Sequence, residues 1–330
     1  MSEIIHPRDA VSADGLEGPE TAFLQALERG RLHHAWLLTG PEGVGKATFA
    51  YRAARRLLGA RPDPGLGLLG SDMEDDIVRQ VSARSHPDLM VLERAGEDGR
   101  MRRQIPVDDA RKLPEFFALS PGRARYRVAI IDAVDDLNPQ GANAVLKTLE
   151  EPPERGVLFL VSHSPGALLP TIRSRCRRLA FTPPPEDRAA RRVAEGAGVD
   201  AEQALRLVRM AHGAPGRALH LHEAGALALD DAARAILGQL PRVDYGALQS
   251  LTEGFRGGEG TERFRILIDR LCDRIHALSV HRAAEGTVAG LDGWSQAWSA
   301  LQALPDQVEG LNLDKGDALW TALGELRRVA

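Results

Sequence analysis

From about residue 20 to residue 182, short apolar runs alternate with amphipathic stretches. The runs are Ala35–Thr39, Asp88–Leu92, Arg127–Asp132, Val157–Ser162 and Arg178–Phe181. Each is short, rich in Val, Ile, Leu or Phe and bounded by polar or turn residues, which predicts parallel strands buried on both faces. Helix-forming stretches lie between them. Lys46–Leu58 ends at Gly59, and Pro106–Phe117 follows later. Pro139–Glu150 carries Ala142, Val145, Leu146 and Leu149 at the i, i+3, i+4, i+7 spacing of one helical face. Strand and helix in alternation predict an α/β domain built on a parallel sheet.

The rhythm stops at Pro183-Pro184-Pro185, which can continue neither a helix nor a central strand and reads as a linker. Three short helices are predicted beyond it, over Glu186–Glu195, Asp200–Ala211 and Gly216–Ala224. From about residue 229 the chain is again helical, with Phe264, Leu267, Ile268, Leu271, Ile275 and Leu278 on one face and Leu319, Leu323 and Leu326 on another. Gly254–Gly260, Gly286, Gly290 and Gly293 read as connecting loops. The segment Ala60–Ser85, first rich in proline and glycine and then acidic, supports no assignment. The expected division is a sheet domain over residues 1–182, a helical lid over 183–228 and an all-helical collar over 229–330.

Composition narrows the class. With 330 residues, 43% apolar and 27% charged, the chain has the make-up of a globular protein of two or three domains. A formal charge of −4 does not mark a nucleic-acid binder. Two cysteines, Cys176 and Cys272, give neither a disulfide framework nor a metal spacing. The N-terminus has no signal-peptide pattern, and no apolar run approaches the ~18 residues of a membrane span. A cytoplasmic protein is expected.

The candidate chemistry begins at Gly40-Pro-Glu-Gly43-Val-Gly45-Lys46-Ala47-Thr48. In the phosphate-loop pattern G-x-x-x-x-G-K-[ST], backbone N–H groups and the lysine cradle phosphates, and the last hydroxyl holds Mg²⁺. Gly40, Gly45 and Lys46 fit, with a strand expected before them and a helix after. Ala47 stands where the hydroxyl belongs. Thr48 is one residue late, about 100° around the helix. The loop is predicted to have lost hydrolysis while keeping its phosphate-binding frame. Val128-Ala-Ile-Ile-Asp132 reads as the strand that would carry a Mg²⁺-facing aspartate to the carboxyl end of the sheet. A second reading of Asp132, as a turn aspartate after a buried strand, stays open.

The strongest signal is ordered along the chain. Ile105-Pro-Val-Asp-Asp-Ala-Arg111 is followed by Asn143-Ala-Val-Leu-Lys-Thr-Leu-Glu-Glu-Pro-Pro153, then Val157–Ser162, then Leu169-Pro-Thr-Ile-Arg-Ser174-Arg175-Cys176. This set, over roughly residues 20–220, resembles the clamp-loader branch of the AAA+ ATPases. The resemblance implies a P-loop AAA+ fold and a role in DNA replication. It implies that Arg175 is an arginine finger serving the ATP site of a neighbouring subunit, with Ser174 and Cys176 positioning it. A planar, permanently charged guanidinium suits the charge that grows on a transferring phosphoryl group. Charge alone would instead read Arg173, Arg175, Arg177 and Arg178 as a solvated basic stretch.

In that family a glutamate follows the strand aspartate and activates water; here the residue is Ala133. Ser162-His163-Ser164 occupies the sensor-1 place, and which of the three faces a nucleotide stays open. Gly213-Ala-Pro-Gly-Arg217 resembles the lid's sensor-2 segment, with Arg217 either reaching a phosphate or opening the next helix. Many relatives carry a cysteine-ligated zinc module after the P-loop helix, but this chain has no cysteine before Cys176. The resemblance therefore implies a subunit that does not hydrolyse ATP and needs no cofactor, with ATP or ADP binding without turnover left open. Its implied partners are gamma/tau and delta clamp-loader subunits, the sliding clamp, and primed DNA touched through backbone phosphates in the assembled complex. An active motor subunit and an unrelated P-loop kinase are the alternatives.

Overall fold

A computed structural model describes residues 5–95, 102–242, 244–285 and 290–329. The chain divides into two compact units, residues 2–189 with 212–217, and residues 190–211 with 218–330.

The first unit is the sheet domain. In chain order it contains α1 (Glu17–Glu28), β1 (Ala35–Thr39), α2 (Lys46–Leu58), α3 (Asp76–Ser82), β2 (Leu89–Glu93), α4 (Val107–Ala118), β3 (Arg127–Asp132), α5 (Pro139–Glu150), β4 (Gly156–Ser162), α6 (Pro170–Ser174) and β5 (Arg177–Ala180). The five strands lie in the order β2-β3-β4-β1-β5, and every pairing is parallel. Successive side chains on a strand point to opposite faces, so the central runs β1, β3 and β4 feed two cores, whereas β5, at the sheet edge, is mostly exposed and not buried on both faces as expected. Trp36, Leu38, Val128, Ile130, Phe159 and Val161 join Phe23 of α1 and Phe49 and Ala53 of α2 on one face. Ala35, Leu37, Ala129, Ile131, Leu158 and Leu160 join Leu113 of α4, Val145 and Leu149 of α5 and Ile172 of α6 on the other. Cover on both faces is why these strands read as continuous apolar runs.

Three strands differ from the sequence expectation: β2 and β5 are each shifted by one residue at both ends, and β4 starts one residue earlier, at Gly156. Asp88 falls outside β2 because its buried carboxylate accepts bonds from the N–H groups of Gly122 (2.7 Å), Arg123 (2.9 Å) and Ala124 (3.0 Å). β5 starts at Arg177, which pairs in register with Trp36.

The unassigned segment 60–85 forms an antiparallel bridge between Pro62 and Ser71, a 3₁₀ turn over Pro64–Leu66, and α3. Two fully buried arginines of α2 organise its surroundings. Arg52 pairs with Glu20 at 2.9 Å and donates to the carbonyls of Leu66 (3.2 Å) and Val11. Arg55 donates to the carbonyls of Ala10 (2.8 Å) and Arg8. The other oxygen of Glu20 accepts from Leu69 N–H at 3.3 Å. Among the described residues no cluster of His, Cys, Asp and Glu could hold a metal ion. Arg52, through the Leu66 carbonyl, and Glu20, through the Leu69 N–H, tie this segment to α2 and α1.

Among the described residues, every regular element after β5 is a helix. These are α7 (Glu186–Ala197), α8 (Ala201–Met210), α9 (Pro215–Glu223), α10 (Ala226–Gln239), α11 (Tyr245–Glu253), α12 (Gly260–Ala284), α13 (Leu291–Leu311) and α14 (Lys315–Val329). Within the second unit α12 packs on α10 and α13, and α13 on α14. Asp230 of α10 accepts from Arg206 of α8 at 2.9 Å and Arg274 of α12 at 2.8 Å, tying three helices at one carboxylate. The loop expectation at Gly293 was wrong. It lies in the first turn of α13, where a Cβ would meet Val329 Cγ1 at 2.9 Å, so the missing side chain lets α14 approach. Gly286 lies outside the described residues. None of the described helices is long and apolar enough to cross a membrane.

Candidate functional site

The phosphate-loop sequence turns between β1 and α2, where Gly40, Gly43 and Gly45 adopt φ of +147°, +76° and +99°. Those conformations are open to glycine and strained for residues with a Cβ. Gly45 caps α2, and Lys46, Ala47 and Thr48 form its first turn. Lys46 is buried. Its Nζ donates to two carbonyls of its own loop, Gly40 at 2.6 Å and Pro41 at 2.5 Å. Burial lowers its pKa to about 8, against the opposing pull of Asp132, Glu42 and Asp135. Ala47 offers no ligand to Mg²⁺, so the loop does not fit the metal that phosphoryl transfer needs at that position.

The segment Gly213–Arg217 lies against this loop. His212 and Gly213 both have positive φ, which turns the chain into α9. The N–H of Gly216 donates to the carbonyl of Gly43 at 2.9 Å. A Cβ at Gly43 would sit 2.1 Å from the Arg217 nitrogen. Arg217 lies in the first turn of α9 and its Nη1 is 3.6 Å from Glu42 Oε2. Arg217 thus opens a helix and pairs with an acid of the phosphate loop.

Asp132 ends β3, and β4 separates that strand from β1. Two strand spacings put it about 10 Å across the sheet from the strand that feeds the loop. Burial first, and then the Glu93 carboxylate opposite it in the register, raise its pKa to about 6; Lys46 pulls the other way. Ala133, in the glutamate's place, is buried. The two acids beyond it are committed elsewhere. Asp136 pairs with Arg94 at 3.1 Å. Asp135 accepts from Ser162 Oγ (3.0 Å), His163 N–H (2.7 Å) and Ser164 N–H (3.3 Å). Asp135 was not among the expected site residues. The signal was present as an aspartate just past one strand and a Ser-x-Ser at the end of the next.

Arg175 sits elsewhere. It is the C-cap of α6, just before β5. Strands β1 and β5 run parallel with Trp36 opposite Arg177 and Thr39 opposite Ala180. The phosphate loop leaves the far end of β1, whereas Arg175 precedes the near end of β5. Strand length alone separates the two levels by about 10 Å. The guanidinium is 36% exposed; its Nη2 pairs with Glu150 Oε1 at 3.1 Å and its Nη1 donates to Thr171 O at 3.1 Å. Ser174 Oγ donates to the same carbonyl at 3.1 Å. Cys176 packs on the α5–α6 core, and burial pushes its thiol up to about 12. It is an inert packing residue rather than a nucleophile. Arg177 lies over the Trp36 ring at 4.8 Å and Arg178 Nε donates to Thr39 Oγ1 at 3.1 Å. Three arginines of the basic run, Arg175, Arg177 and Arg178, are therefore individually placed.

Residues 17–185 match a family model described as DNA polymerase III, delta subunit. The DNA polymerase III subunit delta' of Pseudomonas aeruginosa is 34% identical over 214 residues, covering 64% of this chain and 63% of that protein. The DNA polymerase III subunit gamma/tau of Mycobacterium tuberculosis is 30% identical over 350 residues, covering 97% of this chain and 58% of that protein. A solved DNA polymerase III gamma subunit-related protein from Thermotoga maritima is 21% identical and covers 96% of this chain and 99% of that one, with a TM-score of 0.47. The chain spans about three fifths of the length of these curated relatives.

Proposed function

The chain belongs to the DNA polymerase III delta-subunit family of clamp-loader proteins, and from that premise we propose that it is a delta-prime-type subunit that does not hydrolyse ATP. In this reading Arg175 is a finger given to the ATP site of a neighbouring gamma/tau subunit. The chain then helps load the sliding clamp on primed DNA, alongside gamma/tau and delta subunits. Residues 183–228 act as the lid and residues 229–330 as the collar that holds the ring. ATP or ADP can bind at Gly40, Gly43, Gly45, Lys46, Ala47, Thr48, Asp132 and Arg217 without turnover.

One observation carries the reading: the arginine and the phosphate loop lie at opposite ends of the same strands. A finger must touch the transferring phosphoryl group, so one held about 10 Å from its own loop by strand length suits a neighbour's site. The loop's own state agrees, because Ala47 has no hydroxyl and Lys46 is bonded to Gly40 and Pro41.

The test is steady-state ATPase of the chain alone, and of the chain assembled with the same organism's gamma/tau and delta subunits, clamp and primed DNA. The chain alone is expected to be inactive. Arg175→Ala is expected to lower turnover at the site it serves by ~10³-fold or more, the scale of fingers in P-loop enzymes. Turnover by the chain alone that ignores Arg175→Ala would make it a motor subunit instead.

A further inference from the structure

Resting on the reading of Arg175 as a finger, we infer that Glu150 is its positioning residue. The carboxylate at the C-terminal end of α5 sets the plane in which the guanidinium is offered to the neighbour's phosphates.

An arginine side chain has many rotamers, and a finger that must find its place anew in each cycle loses rate. Two fixed acceptors grip this one. Glu150 Oε1 holds Nη2 and the Thr171 carbonyl holds Nη1, each at 3.1 Å. Bonds to both terminal nitrogens define the guanidinium plane. Of its five N–H donors, Nε–H and one on each terminal nitrogen are left for a phosphate. The two acceptors are also fixed relative to each other. Leu149, beside Glu150, and Ile172, beside Thr171, share one buried cluster, and Cys176 packs against it. Ser174 Oγ donates to the same Thr171 carbonyl, which steadies the turn that presents Arg175. Glu150 does not touch the reacting atoms; it acts through Arg175.

Glu150 and Arg175 are both partly exposed, so substitutions there leave the core intact. The experiment is ATPase of the assembled complex with Glu150→Ala, Glu150→Gln, Arg175→Ala and the double variant Glu150→Ala/Arg175→Ala. Glu150→Ala is expected to lower kcat about tenfold, with KM for ATP unchanged, as for a misplaced transition-state group. Glu150→Gln keeps an oxygen acceptor and is expected to recover most of the loss. The double variant is expected to match Arg175→Ala alone, because a positioning residue has nothing left to position. Wild-type kcat in Glu150→Ala beside a crippled Arg175→Ala would overturn the inference and leave the finger standing. A further loss in the double variant would also overturn it, since Glu150 would then act by another route. A silent Arg175→Ala would remove the finger reading and this inference with it.

Discussion

Lys46 and Arg175 are cations in the same unit, and the fold treats them in opposite ways. Lys46 is buried, bonded to two carbonyls of its own loop, and pushed down to about 8 by that burial. Arg175 is 36% exposed, steadied by a carboxylate and a carbonyl, with donors to spare. Of the acids around Lys46, Asp132 is desolvated, Asp135 is bonded to Ser162 and to the backbone of His163 and Ser164, and Glu42 is exposed beside Arg217. Glu150, which pairs with Arg175, is half exposed. The fold thus ties the phosphate-loop lysine into its own loop and leaves the Arg175 guanidinium partly in solvent.

The sharpest division between the two regions is expected from Gly43→Ala set beside Arg175→Ala. A Cβ at Gly43 would lie 2.1 Å from a backbone nitrogen of the α9 turn, at a φ of +76°. Relief requires moving backbone, so the cost is expected at about 3 kcal/mol or more, read by urea or thermal unfolding. Arg175→Ala removes a half-exposed pair and is expected to shift stability by less than about 1 kcal/mol while ruining complex ATPase. Were Gly43→Ala harmless to folding, the contact between Gly43 and Gly216–Arg217 would not be part of the resting structure, and the loop would be free to take phosphates.

Legibility followed the range of the forces involved. The bounds of β1, β3, α2 and α5 could be read from sequence because local periodicity and caps determine them, as at Gly59 and Asn138-Pro139. Asp88 was misplaced because its role is to bind a loop more than thirty residues away. Segment 60–85 was opaque for the same reason: its order comes from Arg52 and from Glu20, far off in sequence. At the candidate site, Gly40, Lys46, Ala47 and Arg175 carried recognisable spacing. Glu150 and the contact between Gly43 and Gly216 left no local trace, since each joins elements that meet only after folding.

Asp132→Asn probes the region around Lys46 through pH. The native carboxyl has its pKa raised to about 6 from an ordinary value of 3.8, so the ionised form destabilises the fold. Between those values the native state holds the extra proton, and stability falls as pH rises. The cost is absent below about pH 4 and complete above about pH 6. Asp132→Asn is therefore expected to stabilise the protein at pH 7.5 by about 1–2 kcal/mol and to do nothing at pH 3.5. A variant that is less stable at pH 7.5 would mean that the lysine pairing outweighs desolvation, and that the site is built to keep Asp132 charged.

The smallest effect is expected from the smallest repair. Ala47→Ser returns the missing hydroxyl to the first turn of α2, where serine is well tolerated, and stability should move by less than about 0.5 kcal/mol. If the hydroxyl were the only thing lost, the chain alone would gain Mg²⁺-dependent turnover. Three other features oppose that outcome: Lys46 is already bonded to Gly40 and Pro41, Ala133 carries no base, and Gly216 holds the Gly43 carbonyl. Turnover by the isolated variant is therefore expected to stay at the wild-type background. Measurable hydrolysis would show that Lys46 leaves its carbonyls readily for phosphate, and that the loop lies one atom from being a working site.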